Sequence, residues 1–515
     1  SSVGTGNLIG QPSTAQSIQL SGTNTTAFTG ISLNGTGSAT VYGINYNEIA
    51  NIYITANTAV KAIDIAAASA AVASITYNNV HDITAFNTGT TTAIRGINNS
   101  GTSGGTLTIS NNTISNLTST TTNTGTTTSF SAIGILCTST VNTQNITNNT
   151  ISNLNLTTSG NNAVKSAGIM VSGSSSSGSI SKNIISDFTN TSTSTTNQMT
   201  GIYLNNGSFT VDNNVISLAN GANTNVLNLQ GILDAVGALG TNNYYFNSVY
   251  IGGSTNSGAL NSFAFSRSAT TTTVVKNNIL NNQRTGGTGK HIAIALQSST
   301  ITSDYNDLYA SNTANIGSVN GGTAGLDFAT WKSTTNQDAN SYSTDPNFTS
   351  TTNLKPTAGN YLAGTNIATI TTDFDGITRS NPPDIGAYEG SEAGRWLGTS
   401  STDWATTTNW DNGALPTASD NVTIITGAAN MPQVTQDPAS PAVCNNLTIN
   451  TGQSLTVNAG KALTVNGTIT NNGTLSVKSD ATGTGSLITS ATPSATVERY
   501  MSKDNYHYIS SPVAS

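Results

Sequence analysis

An asparagine recurs nine times between residues 47 and 306, at spacings of 29 to 37, and two positions after each stands a branched aliphatic residue. The anchors are Asn47, Asn78, Asn112, Asn149, Asn183, Asn214, Asn247, Asn277 and Asn306, followed by Ile49, Val80, Ile114, Ile151, Ile185, Ile216, Val249, Ile279 and Leu308. Residues 109–117 (ISNNTISNL) and 146–154 (ITNNTISNL) show the unit most plainly. A second signal precedes each anchor by 13 to 17 residues, a small residue followed by an apolar one, as in Gly30-Ile31, Ala62-Ile63, Gly134-Ile135 and Ala293-Ile294. Length varies mostly elsewhere, in Thr/Ser runs such as 118–129 and 189–197.

A unit with at least two short alternating strands, Asn/Gly corners and no stretch of helical period suits one coil of a parallel β-helix, each coil stacking on the last at about 4.8 Å. Stacked anchors then form a ladder, because an amide carries both donors and an acceptor and can bond like groups above and below. A second polar column, Asn51, Asp82, Asn116, Asn153 and Asp187, lies four residues on. The residue two beyond each upstream apolar position shares its inward face. That column runs Leu33, Ile65, Asn99, Cys137, Val171, Leu204, Asp234, Arg267 and Leu296, so Asp234 and Arg267 are expected as a structural ion pair on successive coils.

Composition agrees with an all-β chain. Only 8% of the 515 residues are charged, against about 25% in ordinary soluble domains, and Ser, Thr and Asn take their place. A net charge of −7 with 16 basic residues leaves no cationic stripe for phosphate backbones, so nucleic acid is not an expected partner. No apolar run reaches the roughly 18 residues of a membrane span. Cys137 and Cys444 form no CxxC pair and read as buried free thiols. The chain begins at Ser1 and ends at YISSPVAS, and both ends are expected to be cuts in something longer. The Asn-x-Ser/Thr triplets follow from composition, and a glycan on Asn112 or Asn149 would not fit a ladder.

After Leu308 the repeat gives way to SDYNDLYAS (303–311), LDFATWK (326–332), QDANSYSTDPNF (337–348) and TTDFDGITRSNPPDIGAYEG (371–390). This combination resembles the closing segment of secreted right-handed parallel β-helix repeat proteins of the Bacteroidota surface-protein kind. The resemblance covers roughly residues 30–390. Its most specific string is Asp373-x-Asp375-Gly376, Arg379 and Pro383-Asp384-Ile385-Gly386-Ala387-x-Glu389. It implies a cap built on Asp373, Asp375, Arg379, Asp384 and Glu389, with Trp331, Phe348, Phe374 and Tyr388 plugging the open end. Asp373 and Asp375 are also weak calcium candidates in a D-x-D-G turn, although Arg379 could neutralise and bridge the same carboxylates. No other cofactor or metal is expected.

From Arg395 the text restarts with Trp396, Trp404 and Trp410 inside fifteen residues. This resembles the opening of small β-solenoid modules in large Bacteroidota surface proteins, where such tryptophans cap the core. The aromatic trio is also the candidate glycan contact. Leu447, Leu455 and Leu463 suggest one strand per eight residues.

The expected fold is therefore all-β: a right-handed parallel β-helix with a C-terminal cap, followed by a second small β-solenoid module. The divisions are 1–29 (partial coil or continuation of an upstream region), 30–310 (nine repeats), 311–392 (cap), 393–490 (small module) and 491–515 (a further, truncated β module). The expected function is a non-catalytic segment of a secreted, outer-surface protein, an adhesin or stalk that contacts a glycan or protein ligand. The resemblance implies export by type IX secretion machinery. The alternative is a polysaccharide lyase or hydrolase, or a glycan-binding module, for which Arg284, Lys290, His291, Asp304 and Asp307 gather near the last coils.

Overall fold

The computed structural model describes residues 7–503 except 11–16, 22–26, 35–40, 57, 67–71, 87–92, 102–104, 121–129, 141–142, 159–160, 174–175, 219–226, 236–240, 256–257, 269–272, 298–300, 358–359, 380–381, 391–392 and 425–427. Most of the 118–129 run and the final stretch with His507 fall outside these residues. The chain divides into two compact units, Ser1–Glu389 and Gly390–Ser515.

The first unit is a parallel β-solenoid whose coils each contribute to three sheets, one more than the two strand signals in the sequence. Tracing one coil shows the plan. Ala132–Cys137 lies in a glycine-bearing sheet, Thr143–Thr147 in a pre-ladder sheet, and Thr150–Leu156 in a post-ladder sheet. Each pairs in parallel with its counterparts one coil away, for example Ile109 with Ile146 and Ile114 with Ile151. Ile, Val and Leu from all three sheets fill one continuous core. The ten stacked strands of the glycine-bearing sheet, at the usual strand spacing, span roughly 45 Å.

Glycine marks where two sheets come closest. A Cβ on Gly134 would stand 2.6 Å from Ile151 Cγ2 and 2.7 Å from the Gly168 carbonyl oxygen, and Gly96, Gly168 and Gly201 meet the same obstruction. A methyl is accepted only where the neighbours give way, and the equivalent positions that are not glycine carry nothing larger: Ala62, Ala264 and Ala293.

Among the described residues, the corner between the pre-ladder and post-ladder strands is built the same way nine times. The residue before each ladder asparagine is left-handed: Tyr46, Tyr77, Asn111, Asn148, Lys182, Asn213, Phe246, Asn277 and Tyr305, with φ between 53° and 60°. Such a conformation costs a non-glycine residue about 1 kcal/mol, less for Asn. Asn51, Asp82, Asn116, Asn153 and Asp187 are likewise left-handed, so the second polar column marks a second corner.

The last coil is closed by features the repeat does not contain. A helix, Phe328–Thr335, is capped by Asp327, whose carboxylate accepts the Thr330 N–H at 2.8 Å. It buries Trp331 in the solenoid core, with the indole so near Gly317 that a Cβ there would overlap the ring.

The remainder of the expected cap does something else. Residues from about 342 to 389 run back along the outside of the post-ladder sheet as a strap. Phe348, Phe374 and Tyr388 therefore plug nothing: they pack with Leu354 and Ala387 against Ile184, Val215 and Tyr250. The outward position after each ladder asparagine shows why the strap lies there. It reads Glu48, Asn79, Thr113 and Thr150 on the early coils, then Ile184, Val215, Ser248, Ile279 and Asp307.

The second unit winds through three small parallel sheets in rotation. Leu447–Ile449, Ser454–Val457 and Ala462–Val465 fall on successive sheets and pair with Ile469–Asn471, Thr474–Val477 and Ser486–Thr489 one turn later. The eight-residue spacing of the leucines thus counts faces, three to a turn.

Candidate functional site

The ladder is a hydrogen-bonded column with a fixed direction. The backbone N–H and Nδ2 of Asn112 both donate to Asn149 Oδ1, at 3.1 and 2.9 Å, and Asn112 Nδ2 also donates to the Ile75 carbonyl at 2.9 Å. The pattern repeats through Asn47, Asn78, Asn149, Asn183, Asn214 and Asn247. Every one of these side chains is buried, and each amide is satisfied without water.

One member of the expected series is corrected. Asn247 donates to Asn278, not Asn277, and Asn278 donates to Asn306 at 3.1 Å. Asn277 is the left-handed corner residue, and its amide instead exchanges two bonds with Thr365 of the strap, at 2.7 and 2.9 Å. The shift also makes Leu280, not Ile279, the core-facing partner of Val249 and Leu308. Two adjacent asparagines made the anchor ambiguous, and only the register resolves it.

Both ends of the column were missed in sequence. Asn7 adds a rung, its Nδ2 donating to Asn47 Oδ1 at 3.1 Å. At the other end Ser341 Oγ accepts the Asn306 N–H at 2.9 Å, while Asp338 accepts from Ser341 Oγ at 2.6 Å and from Trp331 Nε1 at 2.8 Å. One buried carboxylate thus terminates the ladder and fixes the plug. The string QDANSYS carried that signal, since a repeat lacking its asparagine needs another acceptor at its last rung.

Asp234 and Arg267 stand on paired positions of adjacent strands, each 1% exposed, with Arg267 Nε 3.4 Å from Asp234 Oδ2. Asn242 Nδ2 and Thr273 Oγ1 also donate to Asp234, each at 3.3 Å. Tyr244 is buried beside them, and burial, with Asp234 nearby, pushes its hydroxyl pKa well up.

The cap residues divide between two tasks. Arg379 Nη1 donates to Glu389 Oε1 at 2.7 Å and to the Asp384 carbonyl at 3.1 Å. Its Nη2 donates to Asn213 Oδ1 at 2.6 Å and to the Gly386 carbonyl at 3.0 Å. The guanidinium carbon lies 3.7 Å from the centroid of the Phe246 ring. Arg379 therefore clamps the strap to two corner residues and does not bridge Asp373 and Asp375. Asp373 accepts the Ile377 and Glu389 N–H groups at 2.7 and 2.9 Å, and burial nonetheless raises its pKa. Asp375 points to solvent and pairs with Lys355 Nζ at 2.5 Å. The two carboxylates of the D-x-D-G turn thus face different partners.

The polar residues near the last coils do not gather in one cleft. His291 is buried, with Nδ1 2.9 Å from Ser262 Oγ and Nε2 3.0 Å from the Gly286 carbonyl; burial lowers its pKa and Arg284 adds to the effect. Arg284 is buried too, and desolvation lowers its pKa to about 10. Lys290 is exposed. Asp304 accepts two bonds from Asn340, at 2.8 and 2.9 Å. Asp307 lies under the strap, where burial, opposed by the Thr344 N–H and reinforced by Asp345, pushes its carboxyl up to about 7.

The tryptophan trio is not available for sugar stacking. Trp396, Trp404 and Trp410 are each at most 2% exposed, with centroids 4.7 to 6.4 Å apart. Trp396 Nε1 donates to the Asn430 carbonyl and Trp410 Nε1 to the Trp404 carbonyl, at 2.7 and 2.8 Å. They form the core of the second unit with Val422, Ile424 and Val434. An amphipathic aromatic with its N–H bonded inside is a packing element, which corrects the candidate glycan contact.

Open surfaces do exist on the first unit. A cleft of about 220 Å³ on the glycine-bearing sheet is lined by Asn228, Gln230, Phe263, Ser266 and Gln297 among others. A second, of about 350 Å³, lies between Phe246, Arg379 and strap residues 366–371.

No curated protein matches the chain. Residues 395–515 match the model of a family described as a domain of unknown function, DUF8693. The match falls within the second unit and covers less than half of the chain, so the solenoid of the first unit rests on its own geometry.

Proposed function

We propose that the chain is a non-catalytic scaffold segment of a secreted cell-surface protein, an adhesin or stalk exported by type IX secretion, whose coils space and present a contact surface for a glycan or protein ligand. The observation that carries this reading is the use made of the few charged residues. Asp234, Arg267, Asp338, Asp373, Arg379 and Glu389 are buried and bonded to neighbouring parts of the fold. Repetition builds a stiff core, and outward side chains remain free to vary.

The test is binding of the whole chain to glycan arrays and to intact cells, beside an assay for unsaturated products from pectin- and alginate-like polymers. Saturable binding without product supports the scaffold. Product release with turnover sinks it and favours the lyase. A glycan-binding module is the second reading, supported by the amide-lined cleft around Gln230, Phe263 and Gln297. Changing Gln230 and Gln297 to Leu should then abolish glycan binding while leaving the fold intact.

A further inference from the structure

Beneath the strap, the outer face of the post-ladder sheet holds two side chains that the fold leaves unsatisfied. Asn281 is 0% exposed, and neither its Oδ1 nor its Nδ2 has a partner. Asp307, also 0% exposed, uses one oxygen to accept the Thr344 N–H at 3.0 Å and leaves Oδ2 unbonded. Strand register puts both on one face: Ile279 pairs with Asp307 and Asn281 with Tyr309, and alternate residues of a strand share a side. A buried amide with no bonds costs about 1–3 kcal/mol for each unmet group, so these atoms call for a partner.

The surroundings say which kind. Burial raises the Tyr309 hydroxyl pKa, and Asp345 of the strap lies close enough to raise it further; Asp345 also accepts from Gln283 Nε2 at 3.2 and 3.3 Å and from the Asn347 N–H at 3.0 Å. Among the described residues neither Asp307 nor Asp345 forms an ion pair with Lys or Arg. Two carboxylates without a counter-charge, an amide oxygen and a phenol are hard oxygen donors, the set that a calcium-sized cation takes. A cleft of about 240 Å³, lined in part by Gln283, Asp345 and Tyr250, opens to solvent beside the strap ligand.

We propose that Asp307, Asn281 and Asp345 form a calcium site that pins the start of the strap to the last two coils. Asp307 Oδ2 and Asn281 Oδ1 supply the ligands from the sheet, Asp345 supplies the ligand from the strap, and water completes the shell. The site is separate from the Asp373–Asp375 turn and independent of the proposed scaffold function.

The experiment uses the full chain stripped with EGTA. Titration with terbium(III), excited through tyrosine, should give saturable emission sensitised by Tyr309 and Tyr250 and displaced by calcium. Millimolar calcium should raise the melting temperature by ~3 °C or more, as a ligand specific to the folded state does. Asp307→Asn and the near-isosteric Asn281→Leu should each abolish both signals, while Asp375→Asn should keep them. If Asp307→Asn fails to fold, Asn281→Leu alone decides. No calcium shift in the unmodified chain, or a shift that survives both substitutions, overturns the proposal. So does an Asn281→Leu variant that melts higher whether or not calcium is present, since the Asn281 amide then serves no ion.

Discussion

Arg379 Nη2 lies 2.6 Å from Asn213 Oδ1, joining the strap to a coil corner 166 positions earlier in the chain. With Glu389 also at 2.7 Å and the Phe246 ring beneath, this one side chain holds the strap's far end to the solenoid. Removing one partner of a buried, hydrogen-bonded ion pair costs about 3–5 kcal/mol. Arg379→Ala should therefore release residues 371–389, seen as faster amide exchange there while Thr150–Leu156 keeps its protection. Arg379→Lys should rescue little, because an ammonium cannot replace the planar fork or the stacking.

The nonapeptide 109–117 contains its own control. Asn112 is a buried ladder rung, whereas Asn116 is an exposed left-handed residue with φ 53°. Asn112→Gly should lower stability by about 2–4 kcal/mol, since it orphans both Asn78 donors, takes the side-chain donor from the Ile75 carbonyl and removes one of two donors to Asn149 Oδ1. Asn116→Gly should be nearly neutral, within about 0.5 kcal/mol, because glycine adopts φ > 0 freely. Denaturant midpoints at constant slope would measure both, and equal losses would contradict the ladder assignment.

Single changes at the core pair should cost far more than the double. Asp234→Leu or Arg267→Met alone strands a buried charge, at about 3–5 kcal/mol each, whereas the two together should recover most of that loss. Thermal melts of the four proteins form the cycle. Additive losses would mean that Asp234 and Arg267 are held independently by their other neighbours.

Cys137 and Cys444 are buried, and desolvation pushes each thiol pKa up to about 12. Native protein should resist alkylation at pH 8 and react only on unfolding. The linkage has a definite sign: between about pH 9 and 12 the unfolded thiols have lost protons that the folded ones keep, so stability falls as pH rises through that window. Replacing both by Ala should flatten this alkaline slope. An unchanged slope would assign it to buried tyrosines such as Tyr244 instead.

The ladder was legible in sequence because each coil repeats one demand: a strained corner must present its backbone N–H to an acceptor one coil away, and asparagine answers it. The Asp234–Arg267 register was legible for the same reason, since side chains alternate along strands of constant spacing. The strap was half legible. Its motif stands in the chain, and the change from Thr113 and Thr150 to Ile184 and Val215 marks the surface it covers, yet a motif read as a cap said nothing of direction.

What the sequence determined alone is whatever repeats, because parallel stacking turns a period along the chain into contacts between neighbouring coils. What only the tertiary structure decided is whatever occurs once. Asn278 rather than Asn277 in the ladder, the three tryptophans inside rather than outside, Arg379 on Asn213, and Asp307 and Asn281 under the strap all depend on pairings across many residues of separation. The strap contacts in particular follow from how the nonrepeating segment packs back onto finished coils, and no periodicity encodes that.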